Sequence, residues 1–352
     1  MNLSFGKKQM QMIGVDIGSR FIKAILLSKK GNEYKVDAIA CEGIKGDAFQ
    51  EREIKELDAV GNALRKIKSA LKTKEKSIAM AVSGSTVINK VIQMQMGLTD
   101  VELESQIEIE ADSLIPYPID EVYIDFEDLG PSEKLPGRAD VLLSVAHKNI
   151  IDSRMLLLGE QDYEAKVVDI EGYALGNAFA NFSTIQEDGP FFCLSIGAAQ
   201  LQLSVLENGI VTMSRELAFG TDALVMEISM MLGIDKFEAA EKLLSNELPD
   251  TWREMVYPQF LSTLQLQINR ILQLYMSTFN KESPNKMFVC GGGVVIDGLV
   301  ADLAMDMQIE AEIFDPFTKL GSSEPALLAQ FHGPQFAVAI GLACRSFDLC
   351  HI

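Results

Sequence analysis

One pattern occurs twice in this chain, in the same order, and it restricts the fold more than any other feature. Residues 12–27 read MIGVDIGSRFIKAILL: a short apolar strand, a polar turn over 16–20, then a second apolar strand, which is a hairpin signal. Residues 192–206, FCLSIGAAQLQLSVL, repeat the plan. Ile196 and Gly197 stand where Ile17 and Gly18 stand, and the KKGN of 29–32 is echoed by the ENG of 207–209. A weaker echo pairs AVSGSTVI at 81–88 with VCGGGVVI at 289–296, each an apolar strand that breaks into small residues. Either match alone is ordinary; both in one order imply two copies of an α/β unit. Length agrees, because 352 residues exceed one ordinary core and a 48% hydrophobic content suffices for two.

Long helices separate the strands. Ile54, Leu57, Val60, Leu64, Ile67 and Leu71 recur at helical spacing, as do Phe260, Leu264, Ile268, Ile271, Tyr275 and Phe279, and each set predicts a helix packed on a sheet. Thr99 and Glu102 form a capping-box pattern that opens a helix stopped by Pro116. Strand patterns follow at 122–126 and 140–146, around a Pro- and Gly-containing turn at 130–137. The expected division is a first lobe over 1–189 with a small α+β subdomain inserted at about 92–166, and a second lobe over 190–352. A terminal helix at about 335–347, rich in Ala337, Ala339, Gly341 and Ala343, crosses closely over another element, back toward the first lobe.

Charge and cysteine usage exclude several functions. Fifty acidic against 31 basic residues give a net charge of −19, which repels nucleic-acid backbones and anionic lipid. The basic run Arg65, Lys66, Lys68, Lys72, Lys74 and Lys76 reads as the solvated face of its helix rather than as a membrane patch. Cys41, Cys193, Cys290, Cys344 and Cys350 are scattered and odd in number, with neither disulfide-framework nor metal spacing, which points to a reducing compartment. His147, His332 and His351 are too dispersed for a histidine metal site. Lys7 and Lys8 precede no signal-like apolar run, the longest apolar run, 336–344, cannot span a bilayer, and the tail at 345–352 bears Asp348, unlike an amphipathic tether. The expectation is a cytoplasmic protein.

Two facing hairpins whose turns carry small residues can bring backbone N–H groups to the phosphates of one nucleotide. Gly18 in the first and Gly197 in the second sit at equivalent places and are the candidates. Asp16 is placed to hold a hydrated Mg²⁺, and Lys23 to add a point charge. An isolated hairpin of this kind is ordinarily a tight turn; the second copy is what argues for a phosphate grip. Gly291, Gly292 and Gly293 follow a strand and precede an apparent helix through Gly298, where a flat base or ribose can lie against bare backbone. The cluster matches neither a Walker loop nor a GxGxxG fingerprint, since Ile296 stands where the latter needs glycine. No catalytic set emerges by spacing. Asp169 and Glu171, ahead of a helix at 173–182, are helix caps on the ordinary reading and water-positioning groups on the sharper one.

The ordered set IGVDIGS at 13–19, SIGA at 195–198, CGG at 290–292 and the small-residue terminal helix resembles the actin-like ATPase superfamily, over nearly the whole chain. QIEIEAD at 106–112, IPYP at 115–118, VVDIEGYAL at 167–175 and AIGLA at 339–343 resemble more closely the PilM family of type IV pilus assembly proteins. That resemblance implies a two-lobed, ribonuclease H-like duplicated α/β fold, FtsA-like, with an SHS2-type subdomain in the first lobe. It implies ATP or ADP with Mg²⁺ between the lobes, and a groove for the N-terminal cytoplasmic peptide of PilN, placed on family grounds at 83–118. It further implies other pilus assembly proteins as partners, weak self-association, and peripheral attachment to the inner membrane through those partners. Asp16, Gly18, Ser19 and Lys23 carry over to the first phosphate motif, Gly197 and Ala198 to the second, and Gly291 and Gly292 to the adenosine motif; Glu238 is the candidate ribose partner. Two positions depart: Ser195 replaces the aspartate that opens the second phosphate motif, with Ala199 and Gln200 after it, and Leu243 and Leu244 stand where the family has a lysine pair. Both losses imply an adaptor that is at most a slow ATPase. A small-molecule kinase of the same superfamily needs an intact second motif, and a filament-forming, membrane-tethered relative needs a tether.

Overall fold

The computed structural model describes residues 11–50, 52–84, 87–132, 135–183 and 189–347; Lys7, Lys8, Ser85, Thr86, Asp348, Cys350 and His351 lie outside them. The strands are β1 (Ile13–Ile17), β2 (Phe21–Lys30), β3 (Glu33–Gly43), β4 (Phe49–Gln50), β5 (Glu53–Ile54), β6 (Ser77–Val82), β7 (Val87–Gln95), β8 (Val122–Pro131), β9 (Arg138–His147), β10 (Glu164–Ile170), β11 (Phe191–Ile196), β12 (Leu201–Glu207), β13 (Ile210–Leu217), β14 (Lys286–Cys290), β15 (Glu310–Ile313) and β16 (Leu320–Ser322). The helices are α1 (Leu57–Leu71), α2 (Asp100–Leu114), α3 (Lys148–Glu160), α4 (Glu171–Phe182), α5 (Thr221–Leu232), α6 (Lys236–Leu244), α7 (Thr251–Met255), α8 (Tyr257–Phe279), α9 (Leu299–Met307), α10 (Pro325–Leu328) and α11 (Ala337–Cys344).

The duplication is visible in strand order. One sheet runs β10-β6-β1-β2-β3-β16 and the other β15-β14-β11-β12-β13, so five strands of each correspond one to one. In both, the hairpin is antiparallel and its first strand pairs in parallel with the strand that ends in small residues, β6 or β14. A third sheet, β7-β9-β8, covers α2 over its own core of Ile92, Leu103, Ile107, Val141 and Leu143.

α4 and α11 lie between the two large sheets. Leu175 and Phe179 of α4 and Ala339 and Ile340 of α11 share one core with Ile25 and Leu27 of the first sheet and Leu206 and Phe288 of the second. The small residues of the terminal helix have a steric reason: a Cβ on Gly341 would sit 1.7 Å from the Ala174 carbonyl oxygen, and one on Gly14 2.0 Å from that of Ala339. Helix and strand pass where only a bare Cα fits.

Most periodic patterns hold, with local corrections. Val60, Leu64, Ile67 and Leu71 are buried, but Ile54 belongs to β5 and Leu57 is exposed at the start of α1. The glycines after β14 do not lead directly into a helix: a 3-10 turn spans Gly292–Val295, and α9 starts only after Gly298, at φ +77°. The helix predicted from 173 starts at Glu171, its N-cap is Ile170, and neither Asp169 nor Glu171 caps it. The capping box at α2 is present, Thr99 Oγ1 accepting the Glu102 N–H at 3.4 Å and Glu102 Oε2 accepting the Thr99 N–H at 2.9 Å. Thr99→Ala is expected to cost about 1 kcal/mol, read as a lowered denaturant midpoint with an unchanged slope; an unmoved midpoint means the cap is idle. The basic residues of α1 and of the segment after it are solvated and answered by nearby acids, Lys68 and Lys76 facing Asp162 and Lys66 facing Glu42.

Candidate functional site

The two hairpin turns are built alike. The Gly18 N–H donates to the Phe21 carbonyl at 3.1 Å, and the Gly197 N–H to the Gln200 carbonyl at 2.9 Å. A Cβ at either glycine would press on that same oxygen, at 3.0 and 2.9 Å. Among the described residues no hydrogen bond takes the N–H of Ser19 in the first turn or of Ala198 in the second. Unmated donors in a tight turn suit an anion.

Both turns face one small cavity of about 160 Å³, lined by Asp16, Gly18, Ser19 and Lys23 from one half and Ser195, Gly197, Ala198, Gly291 and Gly292 from the other. A side-chain atom built on Gly292 meets nothing within 4 Å, so bare backbone faces open space beside an apolar wall of Leu243, Ile296 and Val338. Gly291 is at φ +87°, and its N–H donates to the Pro334 carbonyl at 2.9 Å, which ties the glycine segment to the stretch before α11. Three sequence candidates lie elsewhere. Gly293 is buried, its Cα against Ile196; Glu238 faces Lys242 at 3.7 Å on the outer side of α6; and Asp169, at the end of β10, accepts the Ile170 N–H and lies 3.5 Å from Arg345.

A larger cavity of about 1290 Å³ opens beside the first, lined by the loop after β3, by Ser83, Gly84, Val87 and Asn89, and by Glu216, Phe237 and Leu244 of the other half. Ser19, Arg20, Arg52 and Gln200 line both. Ion pairs cross the gap between halves: Arg20 with Asp222, and Asp47 with Lys236.

The charges near the hairpins are nearly balanced. Asp16 and Lys23 face each other across β1 and β2 and pair at 2.5 Å. Arg52, in the β4–β5 hairpin, pairs with Glu171 at the start of α4 and donates from Nε to Ser83 Oγ at 2.9 Å. Gln200 of the second hairpin reaches the same two groups, donating to Glu171 Oε2 at 2.6 Å and Ser83 Oγ at 3.3 Å. Burial pushes the Arg52 guanidinium below its ordinary range, opposed by the charges of Asp16 and Glu216; burial pushes the Glu216 carboxyl up, opposed by the Gly84 N–H and Arg52. Arg20 and Arg52 are not among the sequence candidates; Ser83 enters there only as the start of the 83–118 segment, and Gln200 only as a departure in the second phosphate motif.

The arrangement places unmated turn N–H groups, suited to an anion, at one end and open glycine backbone against an apolar wall at the other. For Mg²⁺ the described lining offers two carboxylates, Glu171, held by both Arg52 and Gln200, and Asp16, held by Lys23; among the described residues no three His, Cys, Asp or Glu side chains converge. That suits an ion held mainly by phosphates and water.

The family model described as type IV pilus assembly protein PilM matches residues 14–347. Among solved structures, a PilM-PilN type IV pilus biogenesis complex superposes with a TM-score of 0.83 at 22% identity, over 97% of this chain and 99% of that one. The ethanolamine utilization protein EutJ from Carboxydothermus hydrogenoformans gives 0.56 at 12% identity, over 94% and 88%. MreB5 of Spiroplasma citri bound to ADP gives 0.50 at 13% identity, over 95% of both chains. The fold is the actin-like one these proteins share. No helix among the described residues is long and apolar enough to cross a membrane.

Proposed function

Because the chain belongs to the type IV pilus assembly protein PilM family, we propose that it is an ATP-binding adaptor of the pilus inner-membrane complex, working in the cytoplasm and held at the membrane through partners. The observation that carries the nucleotide reading is the single cavity on which both hairpin turns and the Gly291-Gly292 backbone converge. ATP, or ADP, lies there with its phosphates on the N–H groups of Ser19 and Ala198 and its base over Gly292. Turnover is slow at most: Ser195 supplies no carboxylate at the second hairpin, and Ala198 and Ala199 add no side-chain donor. Those same absences weigh against a small-molecule kinase.

The partner is a short N-terminal peptide of PilN, the protein that accompanies PilM in the similar complex. Its seat is the larger cavity, whose wall includes Ser83, Gly84, Val87 and Asn89 from the segment placed at 83–118. Arg20, Arg52 and Gln200 border both cavities, so each ligand changes the surroundings of the other. Calorimetric titration with Mg-ATP, and with the peptide in the presence and absence of nucleotide, tests the reading. Both should bind, and peptide affinity should differ between the two states by the same factor as ATP affinity with and without peptide. Peptide binding without ATP binding leaves a platform that has lost its nucleotide; neither binding removes the function and keeps the fold.

A further inference from the structure

Arg52 is held in place with unusual effort. Its φ is +72°, a conformation that non-glycine residues avoid. The fold fixes it through Arg154, whose side chain is wholly buried and donates to the Arg52 carbonyl at 2.9 Å and the Ile150 carbonyl at 2.8 Å. Burial, then the nearby positive charge of Arg52, pushes the Arg154 guanidinium down to about 9. A buried cation supporting a strained backbone is expensive and indicates that the direction of the Arg52 side chain matters.

That side chain stands where the two cavities meet. Among the described residues three cationic side chains line the smaller cavity. Lys23 is taken by Asp16 and Arg20 by Asp222, each in a pair of its own, whereas Arg52 rests on Glu171, a carboxylate that Gln200 also holds. Glu171 therefore keeps a donor when the guanidinium leaves. The second hairpin contributes no cation to this end of the site, since Ser195, Ala198 and Ala199 are uncharged.

We infer that Arg52 reads the terminal phosphate: a nucleoside triphosphate reaches the junction of the cavities and takes the guanidinium from Glu171, while a diphosphate stops short and leaves the ion pair intact. The inference rests on the nucleotide reading above. It makes Arg52 the residue that distinguishes ATP from ADP, and it makes the link from Glu171 to Gln200 across the two halves dependent on which nucleotide is bound.

The test is calorimetric titration of Mg-ATP and Mg-ADP into the full chain as wild type, Arg52→Gln, Arg52→Lys and the double variant Arg52→Gln/Glu171→Gln, each first checked for a cooperative thermal transition. The double variant leaves no carboxylate at position 171 without its cation, and Glu216 keeps the Gly84 N–H, so it separates loss of the phosphate contact from damage to the fold. Wild type should prefer ATP, and both Arg52→Gln proteins should lose about 10- to 100-fold of that preference, the range for a hydrogen bond to a charged group, with ADP affinity within about twofold. Arg52→Lys should recover part of it. An unchanged ATP-to-ADP ratio in the folded double variant overturns the inference, as does an equal fall for both nucleotides, which would make Arg52 a wall of the cleft. Wild type binding neither nucleotide overturns the nucleotide reading itself, and this inference with it.

Discussion

Gly341→Ala should lower stability severely, and Gly341→Leu should give no cooperatively folded protein. Overpacking a core ordinarily costs about 1–3 kcal/mol, because side chains and backbone shift to absorb it. Here the first added carbon lies 1.7 Å from the Ala174 carbonyl oxygen, with the carbonyl carbon at 2.6 Å. That oxygen belongs to α4, which is wedged between the two large sheets and shares a core with both. Neither helix can withdraw without opening that core, so the cost for alanine belongs at or above the top of the range, against a total stability of about 5–15 kcal/mol for an ordinary domain. The matched control is Gly159→Ala in α3, where an added Cβ meets nothing within 4 Å and φ is ordinary; it should be neutral or stabilising by up to about 1 kcal/mol. Denaturant midpoints of the variants decide it. A Gly341→Ala midpoint equal to wild type would mean that the two helices do not cross so closely. The site depends on this crossing: α11 packs on Gly14, two residues before Asp16, and the stretch leading into it accepts the Gly291 N–H at Pro334.

What could be read from the sequence was whatever repeats or punctuates. The hairpins at β1–β2 and β11–β12 are legible because apolar strands, a glycine and a second strand recur in order, and that recurrence accounts for the match between the two sheets, though not for the strand order itself. α1 and α8 are legible because one buried stripe at helical spacing is hard to mistake. The glycine segment after β14 reads as the lead into a helix because glycine at positive φ and glycine beside a helix look the same in sequence. Arg52 was invisible for a different reason. It lies in QEREIKE, a run of charged residues that resembles any solvated loop, and only folding places it beside Glu171, Ser83 and Gln200, between 31 and 148 positions away in sequence. Arg154 is one of several polar residues in α3, beside Asp152 and Ser153, and no local pattern marks it as the support for Arg52. Glycine motifs announce backbone geometry, which is local; the charges that decide which anion fits are assembled across the chain.

Asp16→Ala should weaken Mg-ATP binding about tenfold or more, within the loss typical when a metal's supporting carboxylate is removed, while barely weakening ATP binding measured in EDTA. The asymmetry follows from the Asp16–Lys23 pair. The carboxylate is buried and one of its oxygens meets Lys23 Nζ at 2.5 Å. With Mg²⁺ present, its removal takes away the carboxylate proposed to order the hydrated ion, and affinity falls. Without Mg²⁺, the same carboxylate repels the phosphates and occupies Lys23, so its removal deletes a like charge and frees a cation, and affinity holds or rises. Because leaving Lys23 unpaired strains the fold, Asp16→Asn serves as the isosteric companion and should show the same split. Gly292→Leu should weaken binding equally with and without Mg²⁺, since it fills the open space proposed for the base. Calorimetry in both buffers separates the roles: a Mg²⁺-dependent loss for Asp16 beside a Mg²⁺-independent loss for Gly292 assigns phosphate and base ends, and undiminished Mg-ATP affinity in folded Asp16→Ala removes the phosphate site from this cleft.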